Sequence, residues 1–419
     1  MSKRAYFCLK LTHSKLTLKI PGISRDKLLL ISTLYISQSV PVSFIKTGFQ
    51  VFLKNQHIPY DSISRSMGLL LLPWVLKFLW APLVDRIGSG SPNHRKKWIV
   101  PLQILGALVL AIAAFLHLES QLLQVYILFL IYSFISATQD IATDGLAVLS
   151  LNRKQYGLGN IMQMGGYYLG ELLGGAAILI IFDYFGWTAS ILFLALFFLL
   201  PLPFIIPYQE SNKAPDPAHA KPGRKSISEF VWKNKAWLLV SILFMGNQVL
   251  ARTMLPSLLS DRHYSESEIG FVIGVLGNGA SILGAVLGGL IIDSLGRKRS
   301  LVLYGTLKIP AFFTLLLLPN LEVADGWILS GVLLNDLLAG LSTVALFTVM
   351  MDRSRHSSPG TDFTIQQSFN AIGILIFVIL SGTLLSEIGL NGLVQSATII
   401  GVLAVAGILL LRFPQDKTA

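Results

Sequence analysis

The stretch Gly289-Leu290-Ile291-Ile292-Asp293-Ser294-Leu295-Gly296-Arg297-Lys298-Arg299 has a counterpart earlier in the chain. It reads Ala81-Pro82-Leu83-Val84-Asp85-Arg86-Ile87-Gly88, then six residues, then Arg95-Lys96-Lys97. Both copies carry Asp-x-x-Gly followed by a basic cluster, with the two aspartates 208 residues apart. Each follows an apolar run long enough to cross a bilayer. Physical reasons exist for all three parts. A carboxylate just inside the membrane can cap a neighbouring helix N-terminus, the glycine permits a tight turn, and the basic cluster fixes orientation. The first copy departs from the second in having Ala81 where the other has Gly289, and in the six residues inserted before its basic cluster. Asp85, Arg86, Gly88, Asp293, Gly296 and Arg297 are therefore expected to hold helices together. If the two copies belong to separate bundles, such contacts also lie on the seam between them, where they can gate its opening.

Composition makes the membrane reading general. The 419 residues are 53% hydrophobic and 13% charged, with a mean hydropathy of +0.65, whereas soluble domains are about 25% charged. The single cysteine, Cys8, excludes an intramolecular disulfide framework and a Cys-rich metal site. A spanning helix needs about 20 mostly apolar residues. Such runs fall at 28–53, 63–84, 98–116, 122–149, 158–182, 185–206, 236–258, 269–292, 301–318, 326–351, 364–386 and 390–411. They predict an all-α polytopic membrane protein of twelve helices in two six-helix bundles.

The basic residues test that parse. With the N-terminus in the cytoplasm and sides alternating, 26 of the 33 Lys and Arg fall in cytoplasmic segments, three outside (Lys54, Arg65, Arg262) and four within the membrane. Acidic residues show no such bias. Positive charge sets orientation while Asp and Glu contribute little, so both termini are expected inside. The expected organisation is a basic tail (1–27), a first bundle (28–206), a linker rich in Pro, Lys and Ser (207–235), a second bundle (236–413) and a short tail (414–419). The basic, acid-poor start shares its composition with transit peptides. A cytoplasmic tail on anionic lipid is the expectation. The first apolar run is long enough to remain as a helix, and no cleavable secretory signal is apparent.

Eight ionisable residues fall inside the expected spans: Lys46, Lys77, Asp140, Asp144, Glu171, Arg252, Lys308 and Asp336. At a helix centre Lys, Arg or Asp costs about 2.5–3.5 kcal/mol on insertion scales, so such residues usually face a bundle interior or a watery cavity. Four bases and four acids could also neutralise each other as static pairs. Asp140 and Asp144 lie one turn apart on a helix whose adjacent row carries Gln139 and Thr143. Two carboxylates so close should not both ionise comfortably in low dielectric unless a cation intervenes. Lys77 is a candidate. It lies eight residues, about 12 Å, from the inner end of helix 2, the depth of Asp144 in helix 4. A Lys77–Asp144 or Lys77–Asp140 pair leaves one acid free to titrate. Glu171 and Lys46 both belong to the outer half, where they can pair. Helix 1 adds a polar face with Gln38, Ser39, Lys46 and Gln50, and helices 7 and 10 add Asn247, Gln248, Arg252, Asn335 and Asp336. Snorkelling to headgroups explains Arg252, on the outer side, and Lys308, on the inner side, equally well. The expected solute and proton pathway comprises Gln38, Lys46, Lys77, Gln139, Asp140, Asp144, Glu171, Asn247, Arg252 and Asp336.

Helix 5 repeats glycine at Gly166, Gly170 and Gly174, a spacing that lets helix backbones approach closely. No Lys-Ser or Lys-Thr follows, as a phosphate-cradling loop would require. No His-Glu-x-x-His, Gly-x-Ser-x-Gly or Gly-x-Gly-Asp occurs either, so no enzyme is expected, nor any cofactor or metal. The basic residues form no folded basic domain with aromatic platforms, so nucleic acid is not an expected partner. The expected partners are membrane lipid, a small-molecule solute and protons as coupling ion, with no obligate protein partner.

The paired Asp-x-x-Gly loops resemble the loop signature of the major facilitator superfamily. Leu76-Lys77-Phe78-Leu79-Trp80-Ala81-Pro82-Leu83-Val84-Asp85-Arg86 resembles the helix 2 segment of its muropeptide permease and acetyl-CoA transporter branch, and Gln139-Asp140-Ile141-Ala142-Thr143-Asp144-Gly145 resembles that branch's helix 4 motif. The continuation through Gly157-Leu158-Gly159-Asn160, Gly165-Gly166-Tyr167 and Gly174-Gly175 is most similar to single-protein siderophore permeases of bacterial inner membranes. The similarity covers residues 30–180 and reaches the second half only in architecture. It implies the superfamily fold, a multi-pass protein of the inner membrane, alternating access and a central cavity between helices 1, 4, 7 and 10. The first solute it implies is a ferric siderophore, by uptake. The alternatives are a muropeptide or acetyl-CoA-type solute, or export of a drug or metabolite.

Overall fold

The computed structural model describes residues 22–55, 58, 60–210, 224–317 and 322–413. Most of the expected N-terminal tail, the middle of the expected linker and the tail at 414–419 lie outside the described residues. The rest is helical. In the first half of the chain come α1 (Arg25–Ser43), α2 (Phe49–Asn55), α3 (Tyr60–Leu76), α4 (Ala81–Arg86), α5 (His94–Ala114), α6 (Leu122–Ser150), α7 (Tyr156–Gly170), α8 (Ile178–Phe198) and α9 (Leu202–Ile205). The second half holds α10 (Arg224–Asp261), α11 (Glu266–Ile269), α12 (Asn278–Leu295), α13 (Arg297–Phe312), α14 (Asp325–Arg353) and α15 (Pro359–Leu410). Eight helical stretches among the described residues are long and apolar enough to cross a membrane.

Several stretches are interrupted where the sequence allows it. Wide π turns join α1 to α2 (Phe44–Gly48), α7 to α8 (Glu171–Ala177) and α11 to α12 (Gly270–Gly277). A 3-10 turn at Lys77–Leu79 separates α3 from α4. Within α8 the backbone breaks at Gly186 (φ 76°, ψ −176°), and within α15 at Gly389 (φ 66°, ψ −176°). That region of backbone space is open essentially to glycine alone. The breaks fall beside the expected boundaries between 158–182 and 185–206 and between 364–386 and 390–411.

The glycines of helix 5 perform the close packing expected of them. A Cβ added at Gly166 would stand 3.0 Å from the backbone nitrogen of Ile36, and one at Gly170 would stand 2.7 Å from the carbonyl carbon of Ser39. One at Gly174 would overlap the Val40 carbonyl oxygen. Helices α1 and α7 therefore meet backbone to backbone.

The helices of each half pack chiefly on one another: α1 on α7 and α5 on α6 in the first, α10 on α15 and α12 on α14 in the second. Phe44, Phe49, Phe129, Tyr132 and Phe198 centre an apolar cluster inside the first half, and Leu250, Leu259, Phe312 and Leu393 one inside the second. A third cluster joins the halves, with Tyr35, Val148 and Tyr156 against Ile292, Leu346 and Phe363. It lies toward the end of the molecule that carries the two Asp-x-x-Gly turns. Across the same seam α7 packs on α12 and α14, and α4 and α6 on α15. Residues 359–370 of α15 are accordingly almost wholly buried, whereas 371–392 are largely exposed.

Candidate functional site

Both repeat turns need their glycine. Gly88 has φ +88° and Gly296 has φ +87°, a conformation that side-chain-bearing residues rarely adopt. The six-residue insertion in the first copy is absorbed by further positive-φ residues, Gly90 (+82°) and Asn93 (+55°). The inserted chain delivers Arg95 back to Asp85, at 2.5 Å, with both side chains buried. Asp85 also accepts the backbone N–H of Thr361 at 2.6 Å. The carboxylate thereby caps the N-terminus of α15, a helix of the other half, where the helix dipole favours negative charge.

The second copy is wired differently. Asp293 pairs with Arg297 one turn along, and Arg297 reaches Asp352 at 2.9 Å. Asp352 in turn binds Arg153 of the first half at 3.0 Å, and Arg297 donates to the Arg153 carbonyl at 2.5 Å. Arg86 lies exposed. This end of the seam is thus closed by one helix cap, one four-residue ion network and apolar packing.

About one third of the way along the helices lies the densest buried charge. Lys77, on the 3-10 turn after α3, is 3% exposed. Its ammonium pairs closely with Asp140 and stands 4.0 Å from Asp144. It also donates to Gln367 of α15 at 2.5 Å and lies 5.3 Å from the centre of the Trp74 ring. Gln38 of α1 donates to Asp140 at 2.6 Å. Tyr35 of α1 and Gln163 of α7 both donate to Oδ1 of Asp144, at 2.9 and 3.1 Å. Among the described residues, Oδ2 of Asp144 has no hydrogen-bond partner, nor has the side-chain nitrogen or oxygen of buried Gln139. The cluster thus gathers α1, the turn at Lys77, α6, α7 and α15, and Lys77 touches both halves of the chain.

Lys46 and Glu171 pair at 2.7 Å, with Tyr167 accepting from Lys46 at 3.2 Å. Both charged residues stand in π turns, which recur at functional positions. Lys46 keeps 41% of its side-chain exposure, far more than Lys77, so this pair faces an open region.

In the second half Arg252 pairs with Asp336 at 3.3 Å and donates to Asn278 at 3.2 Å. Arg252 does not need a headgroup to satisfy it. Lys308 does not snorkel: it is 2% exposed and donates to the Phe244 carbonyl at 3.3 Å and to Gln248 at 3.4 Å. Asn247 is buried against Gly401 of α15 and joins neither charged cluster. The sequence pointed to most of these residues but not to Tyr35, Gln163 and Gln367, nor to the network of Arg153 with Asp352. Gln163 does lie within the glycine-marked helix 5, and Gln367 in a polar run with Thr361, Asp362, Thr364, Gln366, Ser368 and Asn370.

The model of the Major Facilitator Superfamily matches residues 31–378. The chain is 27% identical to an anhydromuropeptide permease of Escherichia coli K12 over 83% of its own length and 72% of that protein's. It is 23% identical to putative transporter AmpG 4 of Rickettsia conorii, covering 90% and 94% of the two chains. Among solved structures, a bacterial homologue of the iron transporter ferroportin in an outward-facing state superposes with a TM-score of 0.68 at 17% identity, over 92% of this chain and 99% of that one. The human organic anion transporter MFSD10 (TETRAN) does so with 0.69 at 14% identity, over 92% and 100%. At such identities the structures speak for the fold alone. By its repeat turns, its apolar helices and its match to the family over residues 31–378, the chain belongs to the Major Facilitator Superfamily, as a multi-pass transporter of the inner (plasma) membrane.

Proposed function

We propose that the protein is a proton-coupled secondary transporter that carries a muropeptide-type solute across the inner membrane by alternating access. The reading has twelve crossings, in bundles at 28–206 and 236–413 joined by a cytoplasmic linker, with both termini inside. The distribution of Lys and Arg supports it, as do the backbone breaks at Gly186 and Gly389, which fall beside the boundaries expected between helices 5 and 6 and between helices 11 and 12. The named relatives favour a muropeptide-type solute over the siderophore expected first.

The observation that carries the coupling is the asymmetry around Lys77. Its ammonium is committed to Asp140, while Asp144, in a buried site, keeps one oxygen without a hydrogen-bond partner among the described residues. Placing a proton on that oxygen removes a charge from low dielectric, which is favourable there. Asp144 is therefore the carboxyl that takes up the proton, and Asp140 the one that holds the lysine. Because Lys77 also binds Gln367 of the other half, a change of charge at Asp144 bears directly on the seam. The seam is closed at the Asp85 and Asp293 end, which supports reading this conformation as open to the outside.

Proton movement is the direct test. In proteoliposomes loaded with a pH-sensitive dye, adding anhydromuropeptide outside should acidify the lumen with the wild-type protein and not with Asp144→Asn. Solute entry with no accompanying pH change would contradict the coupling.

A further inference from the structure

Between α10, α13 and α14 lies a recess of about 20 Å³ whose polar lining is Gln248, Arg252, Lys308, Asn335 and Asp336, the rest of its lining being apolar. A space of that size admits one small group. Its charges do not balance. Lys308 is 2% exposed, and among the described residues no carboxylate oxygen lies within 4 Å of its ammonium. Its two neutral acceptors stand at 3.3 and 3.4 Å, beyond the usual 2.7–3.2 Å of such bonds. Asp336 gives Oδ1 to Arg252, and its Oδ2 has no hydrogen-bond partner among the described residues. Arg252, 31% exposed, takes up the Asp336 carboxylate, and the buried Lys308 is left with neutral acceptors, an arrangement that is strongly unfavourable whenever its amine carries a proton.

We propose that this recess is an anion site that takes a carboxylate-sized monoanion, held by Lys308 and Arg252. The anion comes either from the solute's own carboxylate, a source that rests on the transporter reading above, or from a free ion. Asp336 lines the same recess and weakens the site by repulsion.

Binding can be measured without transport, so it stands or falls apart from the proposed function. The full chain, purified in detergent, is unfolded thermally against rising acetate or bromide, with a bulky sulfonate, isethionate, holding the ionic strength constant. The wild-type midpoint should rise saturably, and the rise should vanish in Lys308→Met. In Asp336→Asn the anion should bind about tenfold tighter, equivalent to about 1.4 kcal/mol. That gain decides the matter if Lys308→Met fails to fold. No saturable rise in the wild type, an undiminished rise in Lys308→Met, or weaker binding in Asp336→Asn would overturn the proposal. Solute uptake with saturating acetate then identifies the source. Competition assigns the recess to the solute's carboxylate, and uptake that is unchanged or needs acetate assigns it to a free ion.

Discussion

Lys77→Met is expected to abolish gradient-driven accumulation and to destabilise the protein by about 3–5 kcal/mol, the range found when one partner of a buried ion pair is removed. The ammonium is the buried cation that stands against Asp140 and Asp144. Without it two carboxyls one turn apart face each other in low dielectric, and Gln367 loses its donor. Adding Asp140→Asn to Lys77→Met leaves a single acid, Asp144, which Tyr35 and Gln163 already serve as donors. The double variant should recover most of the lost stability and none of the accumulation. Unfolding in detergent reads the first effect and vesicle uptake the second. A Lys77→Met protein as stable as the wild type would contradict the pairing.

The second expected result separates the two aspartates. One proton per solute carried down 100 mV supplies about 2.3 kcal/mol, enough for roughly fifty-fold accumulation. Asp144→Asn removes the proton carrier but leaves the pairing of Lys77 with Asp140 intact. Accumulation should fall to the level of equilibration, while exchange of labelled for unlabelled solute continues. Asp140→Asn takes the charged partner from Lys77, while its amide oxygen can still accept from Gln38. The lysine is then free to close the 4.0 Å gap to Asp144, fixing the negative charge there. Exchange should fail along with accumulation. Equal behaviour of the two variants would remove the asymmetry on which the coupling rests.

Much of this arrangement is legible in the sequence because bilayers impose strong rules. Apolar run length and the placement of Lys and Arg mark the helices, and the repeated Asp-x-x-Gly marks equivalent turns, whose glycines adopt nearly equal φ values. Within the site, helical spacing puts Asp140 over Asp144, and equal depth puts Lys77 beside them. What spacing does not carry is orientation about a helix axis relative to distant elements. Tyr35 and Gln163 reach Asp144 from two other helices, and Gln367 meets Lys77 from 290 residues away. Asp352 reads as an ordinary loop acid until the fold brings Arg153 and Arg297 to it. Lys308 illustrates the opposite error. Snorkelling depends on which way a long side chain points, and here it points inward, to the carbonyl of Phe244. Asn247 likewise sits on a polar-looking helix yet faces Gly401.

Uptake of radiolabelled anhydromuropeptide, a ferric siderophore and acetyl-CoA into proteoliposomes of the purified protein, under an imposed inward proton gradient, tests the central claim most directly. Anhydromuropeptide should accumulate above equilibration, and a protonophore should abolish that accumulation. Accumulation of the siderophore or acetyl-CoA in its place, or muropeptide accumulation that survives the protonophore, would contradict it.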